Sequence, residues 1–248
     1  MRRWLDRWPM LTALLPVAIV WEIVGRLHLS SFIPSLTQVF GAWWTLVTKA
    51  HLLQQTVESC LALLAGYIIA LLVGVCIGIL TGRYSVLDAM LSPYLDTMMS
   101  APMAAFVPML VLVFGLGKGS IVASVALYAV FVIAVNVRAG VRSIDHALLE
   151  MAHSLGASEA LVVRRILLPG ALPLAMTGIR LGFSRAVKGL VIGEALISLV
   201  GLGGMLATYG GGFDADFVYA LIITLVVIAL LGVGLIRLVE RRLITWRR

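Results

Sequence analysis

Glu194, Arg180, Arg185 and Lys188 share one apolar stretch of the chain, and Asp88 and Asp96 lie in another that Pro93, Pro102 and Pro108 interrupt. An ionisable side chain in such surroundings is a functional-site candidate by default, because hydrocarbon holds it only at a cost. A carboxylate there can bind a cation or proton, or it can fix helix packing through an ion pair or hydrogen bond. For Glu194 the packing role is the better reading. Covalent chemistry has no visible machinery: no nucleophile is set against a base, and no Cys/His cluster has metal spacing. Cys60 and Cys76 fall at opposite ends of one expected helix, about 24 Å apart at ~1.5 Å per residue, beyond disulfide reach. Nucleotide chemistry is missing as well. The nearest approach to a phosphate-binding loop is Gly117-Lys118-Gly119, which has no Ser or Thr after the lysine and no glycine five residues before Gly117. It reads as a turn, and the chain is expected to bind no metal or cofactor itself and to be no enzyme alone.

The elements that position these residues follow from composition. The 248 residues are 61% hydrophobic and 12% charged, with mean hydropathy +1.07. A soluble domain is about 45–50% apolar and about 25% charged. No single core of this length could hide so much apolar surface, so lipid must serve as solvent for much of it. The net charge of +7 sits at the ends of apolar segments, where it sets topology and meets headgroups. No polar stretch interleaves aromatic and basic residues, so nucleic acid is not expected.

A spanning helix needs about 20 apolar residues. The pattern predicts an all-α polytopic membrane protein of about six spans, near 9–25, 59–82, 87–114, 120–137, 174–200 and 217–238. Five is the main rival, because the first and third segments are weak. Residues 30–58, with Trp43, Trp44, Lys49 and His51, read as a helix at headgroup level. Gly74, Gly78 and Gly82 form one small-residue face. Gly178, Gly182, Ala186, Gly189 and Gly193 form another, suited to close helix approach. Arginines at 2, 3, 7, 83, 138, 142, 164, 165, 237, 241, 242, 247 and 248 share one side, which predicts cytoplasmic termini. Arg185 and Lys188 are expected near enough to the cytoplasmic end to snorkel, so they are not taken as evidence of an anionic cargo.

In the loop before the fifth span, Asp145 can cap a helix. Leu148, Met151, Ala152 and Leu155 repeat at helical spacing, and Gly156 is placed to end the helix in a left-handed turn. Ser158 can cap a second helix that stops before Pro169. From periodicity alone the apolar stripe could seat in a partner's groove or pack on the chain's own helices.

These residues resemble a known signature. Glu150-Met-Ala152, three residues, Gly156, nine residues, then Ile166-Leu-Leu168-Pro169 is similar to the EAA motif of permease subunits of bacterial binding-protein-dependent ABC importers, with Met151 in place of the second alanine. Pro102-Met-Ala-Ala-Phe-Val-Pro108, Phe114-Gly-Leu-Gly117, Val141-Arg-Ser-Ile-Asp145 and Val191-Ile-Gly-Glu194 with Gly201-Leu-Gly203 extend the likeness to the nitrate, sulfonate and taurine branch, over about 59–240. The resemblance implies one permease domain over 1–248 with a type I importer-like fold. Its parts would be an N-terminal segment (1–58), a core (59–240) and a cytoplasmic coupling loop (145–169) that docks on a separate ATPase holding ATP and Mg. It also implies two ATPase copies, a second permease subunit forming a homodimer across the fifth helices, an extracytoplasmic solute-binding protein, and the bacterial inner membrane. Met103, Phe106, Tyr128, Asn136, Glu194 and Ser198 are candidates for lining a substrate path. An ion-coupled carrier is the alternative, with Glu194 or Asp96 as its ion site.

Overall fold

The computed structural model describes residues 9–27, 30, 32–197 and 200–243, with side chains from residue 15 onward except that of His146. Among them there is no strand. The helices are α1 (Pro9–Arg26), α2 (Leu36–Lys49), α3 (Leu52–Arg83), α4 (Ser85–Ser100), α5 (Val107–Phe114, after a tight turn at Met103–Phe106), α6 (Lys118–Arg142), α7 (His146–Ser154), α8 (Glu159–Ile197), α9 (Gly201–Gly211) and α10 (Ala215–Leu243).

Among the described residues four helices, α3, α6, α8 and α10, are long and apolar enough to cross a membrane. The proline-broken segment behind α3 makes a fifth if its two halves, bent by 103°, count as one span. The expected first span corresponds to α1, an 18-residue helix that is not among these. Its Glu22 does face protein: the carboxylate takes the Nε of Arg26 at 2.6 Å and the Thr37 N–H at 3.2 Å, fastening α1 to the start of α2.

The helix expected at headgroup level exists as α2, opened by a complete capping box between Ser35 and Gln38. Fourteen residues reach only about 21 Å at ~1.5 Å each. One face of α2 packs on the bundle. Val39, Ala42 and Leu46 are buried against Ala220, Leu221 and Leu225 of α10, while Trp44 points outward.

At the centre stands α6, gripped by α3 on one side and α8 on the other. Both neighbours offer glycines. A Cβ on Gly78 would stand 2.7 Å from the Ala134 carbonyl oxygen, and one on Gly189 would stand 2.9 Å from that of Ser124. Gly74 and Gly82 likewise meet Ile133 and Val141, while Gly178, Gly182 and Gly193 meet Asn136, Ile133 and Ser124. Apolar lipid gives helices no hydrophobic reason to associate, so close backbone approach and dispersion hold this trio together. The α8 stripe, suited to close helix approach, is therefore used inside the chain.

One boundary differs from expectation. The second loop helix does not stop before Pro169; it runs on as α8 for 39 residues. A wider turn over Val163–Leu167, with the Leu168 N–H bonded to the Val163 carbonyl, shifts the hydrogen-bond register just ahead of the proline. The ring is thus spared the clash with the fourth carbonyl back. The connection left between the fifth and last spans also holds a helix. Its residues form α9, because a long-range cap awaits its first N–H groups.

Candidate functional site

The arginine-rich end of the bundle carries a helical hairpin. The Asp145 carboxylate accepts from the Ala147 N–H at 2.9 Å and starts α7. At the other end Gly156 has φ +76°, its N–H reaches the His153 carbonyl at 2.9 Å, and the Ala157 N–H reaches that of Ala152 at 3.0 Å. This paired closure satisfies the carbonyls that the helix end would leave open. Ser158 then caps α8 through the Leu161 N–H.

The apolar stripe of α7 is divided by its neighbours. Ala152 is buried with Leu149, Val162, Leu167 and Ala171 and pins the hairpin to the bundle. Leu148, Met151 and Leu155 are 43%, 55% and 80% exposed, on the opposite face. Between the two arms, Met151, Leu155, Gly156, Leu161, Arg165 and Ile166 line a cleft of about 490 Å³. Glu150 and Leu168 are exposed, and Ile166 and Pro169 partly buried. The motif itself did not reveal Leu149, Val162 or Leu167. Their signal is helical spacing from Ala152, read toward the bundle.

Ion pairs lock this end. The Arg83 guanidinium at the close of α3 grips both Glu159 oxygens, at 3.0 and 2.9 Å. His153 lies between Glu159 Oε1, 3.0 Å from Nε2, and the Leu149 carbonyl, 2.7 Å from Nδ1. Hydrogen bonding to the Glu159 carboxylate, then to that carbonyl, raises the pKa of His153, since only the imidazolium donates from both nitrogens. Asp88 binds Arg138 at 3.0 Å and also Arg142, while Asp96 lies 3.6 Å from Arg138. Arg180 meets Glu240 at 2.7 Å.

At the opposite end, Glu194 is 2% exposed, and both its oxygens are used. Oε1 accepts from Ser59 Oγ at 2.6 Å, and Oε2 from the Gly203 N–H at 2.8 Å. Ser59 Oγ in turn accepts the Leu202 N–H at 2.9 Å, and Gln55 Oε1 takes that of Gly201 at 2.7 Å. Three side chains from two helices thus serve the open N–H groups of α9, with the carboxylate where the helix dipole favours negative charge. Glu194 belongs to a structural cap, and Gln55 and Ser59 are the partners that sequence reading missed.

The other path candidates are not brought together. Tyr128 packs over Gly189, and Asn136 over Gly178, where it bonds back to the Val132 carbonyl of its own helix. Met103 and Phe106 are partly buried in the tight turn before α5. Ser198 lies outside the described residues, as do the arginines at 2, 3, 7, 247 and 248. Arg185 and Lys188 correct the sequence reading most. They stand not at the end of α8 but level with the middle of α6, on an exposed face.

A bundle of apolar helices around a glycine seam, a bent proline-broken helix and a charged hairpin at one end define a membrane transport subunit. The family described as "Binding-protein-dependent transport system inner membrane component" matches residues 74–245, and the chain belongs to it. Taurine transport system permease protein TauC of Escherichia coli is 32% identical, with 99% of this chain and 94% of that protein covered. Riboflavin transport system permease protein RibX of Chloroflexus aurantiacus is 31% identical over 96% and 91%. A solved inward-facing MetNI methionine ABC transporter shares the fold with TM-score 0.68 at 21% identity, over 77% of this chain and 95% of that one. The chain is a permease subunit of an ABC importer, an inner membrane component rather than an ion-coupled carrier. The carboxylates such a carrier would need agree, since Asp96 faces Arg138 and Glu194 caps α9.

Proposed function

We propose that the α7 hairpin is the element through which a separate cytoplasmic ATPase drives this permease, and that the cargo is a small organic solute delivered by an extracytoplasmic binding protein. One observation supports the reading above others. Leu149 and Ala152 hold α7 to the bundle while Leu148, Met151 and Leu155 are left outward with no cover of their own. Each large side chain seated in a partner's groove would contribute about 1.5–3 kcal/mol by area, before ordering costs. A hairpin fastened to α3 through Arg83 and continuous with α8 can pass a push to both helices flanking α6 as a rigid body.

In the working complex two copies of the chain pair with each other and with two ATPases, which bind the ATP and Mg. The arginine-rich end then faces the cytoplasm, and with α1 as a sixth crossing both termini lie on that side. The relatives' names give taurine, riboflavin and, in an aliphatic sulfonates permease of Bacillus subtilis, sulfonates as their solutes. A small soluble molecule is what these share. Met151→Cys and Leu155→Cys, crosslinked in membranes from cells making the whole system, test the docking. Adducts with an ATPase are expected, and crosslinks confined to the chain's own helices would end the proposal.

A further inference from the structure

We infer that Arg185 and Lys188 form an anion-recognition site midway through the membrane, on the face of α8 that the rest of the chain leaves open. This rests on the importer reading and adds a substrate class to it: a small solute bearing a carboxylate, sulfonate or similar oxyanion.

The level of the two cations is set by their neighbours on α8. Gly182 packs on Ile133, and Gly189 packs on Tyr128 and Ser124, so Arg185 and Lys188 stand beside the stretch 124–133 of α6. That helix runs from Lys118 to Arg142. Its residue Ala129 is roughly 17 Å from one end and 20 Å from the other at about 1.5 Å per residue. Neither side chain reaches an interface over such a distance, so snorkelling does not explain them.

Their direction is equally defined. Phe183, Ala186, Val187 and Leu190 face the core, whereas Ser184, Arg185 and Lys188 are exposed together on the other side. Among the described residues neither cation has a hydrogen-bond or ion-pair partner. The carboxylates of the long helices and of α4 lie elsewhere: Glu58 is engaged by Lys118, Asp88 and Asp96 by Arg138, Glu159 by Arg83, Glu240 by Arg180 and Glu194 by Ser59, and Asp216 sits in the first turn of α10. Two unmatched positive charges in mid-membrane cannot face lipid without a large cost, and they mark a water-filled path. The adjoining α5, half of the bent pair, packs on α8, and interrupted helices persist where they line such a cavity. What remains to balance the charge is an anion passing through. A guanidinium offers paired donors to two oxygens, and an ammonium adds a mobile point charge beside it.

The test uses the chain purified with its partners in lipid nanodiscs, carrying Cys60→Ala, Cys76→Ala and Ser184→Cys. Two water-borne thiol reagents serve as probes, the anionic sulfonatoethyl and the cationic trimethylammonioethyl methanethiosulfonate, each normalised to its rate with a free thiol. The anionic reagent is expected to be favoured by about tenfold or more, as in a cation-lined cleft. That preference should fall to near unity with Arg185→Gln and Lys188→Gln together, and persist with Arg185→Lys and Lys188→Arg. A ratio near unity before any cation is replaced overturns the proposal, as does a thiol that neither reagent reaches. Both are read without the double glutamine variant, so its misfolding leaves the test intact. ATP hydrolysis is measured on the same preparation. An ATPase that never accompanies the chain sinks the importer assembly, whereas an active complex with no anion preference sinks only the recognition site.

Discussion

Ser59 and Glu194, 135 positions apart, are joined by a 2.6 Å hydrogen bond that completes the cap of α9. The serine hydroxyl donates to the carboxylate and accepts from Leu202, so the two residues act as one acceptor surface for a helix neither belongs to. Glu194→Ala would leave the Gly203 N–H and the Ser59 hydroxyl without this partner in a dry site. A loss of roughly 2–3 kcal/mol is expected, read as a lowered unfolding midpoint in nanodiscs. Glu194→Gln, which keeps one acceptor, should lose less. Equal losses for both would count against the cap.

The seam around α6 separates two kinds of glycine. At Gly182 an added methyl would meet Ile133 Cγ1 at 2.6 Å, a side-chain atom that can be trimmed away. At Gly78 it would meet the Ala134 carbonyl oxygen at 2.7 Å, which no side-chain change removes. Overpacking of this kind costs about 1–3 kcal/mol. In a double-mutant cycle, Ile133→Ala should recover at least about 1 kcal/mol of the Gly182→Ala loss. Val137→Ala should recover markedly less of the Gly78→Ala loss.

Gly156 is different again, since a Cβ there meets nothing within 4 Å. Only its φ of +76° resists substitution. Gly156→Val should cost about 1–2 kcal/mol locally, open the α7 turn, and uncouple ATP hydrolysis from uptake. Asparagine, which tolerates the left-handed region, should preserve uptake. Normal uptake by the valine variant would remove the turn from the coupling path.

His153 makes the hairpin pH-dependent. Its folded pKa lies above the usual value of about 6.5, because the imidazolium donates to Glu159 and to the Leu149 carbonyl; desolvation, and after it Arg83, opposes this. A raised folded pKa means a stabilisation fully present below about pH 6.5 and lost as pH rises through the folded value. Labelled-histidine NMR should give a His153 midpoint above 6.5, and Glu159→Gln should lower it. A midpoint at or below 6.5 would show that the bond does not hold the proton.

What the sequence determined by itself is local. Apolar composition required lipid, because no core of this size absorbs such a surface. Asp145, Gly156 and Ser158 marked the hairpin's ends, because capping chemistry acts within a few residues of its own position. The glycine runs declared faces meant for close packing. Tertiary structure decided what each face meets. Periodicity put Ala152 on one stripe with Leu148 and Met151, and only the bundle beneath distinguished the buried alanine from its outward neighbours. Spacing could not show that the α8 glycines grip α6 rather than a second subunit, or that a wide turn carries the helix past Pro169. Glu194 read as a charge inside an apolar helix, and its meaning depended on Gln55, Ser59 and the start of α9. Arg185 and Lys188 read as end-of-helix cations until the packing of Gly182 and Gly189 fixed their depth. Depth, partner and direction are relations between distant segments, and a linear pattern of residue types holds only the preferences from which those relations are chosen.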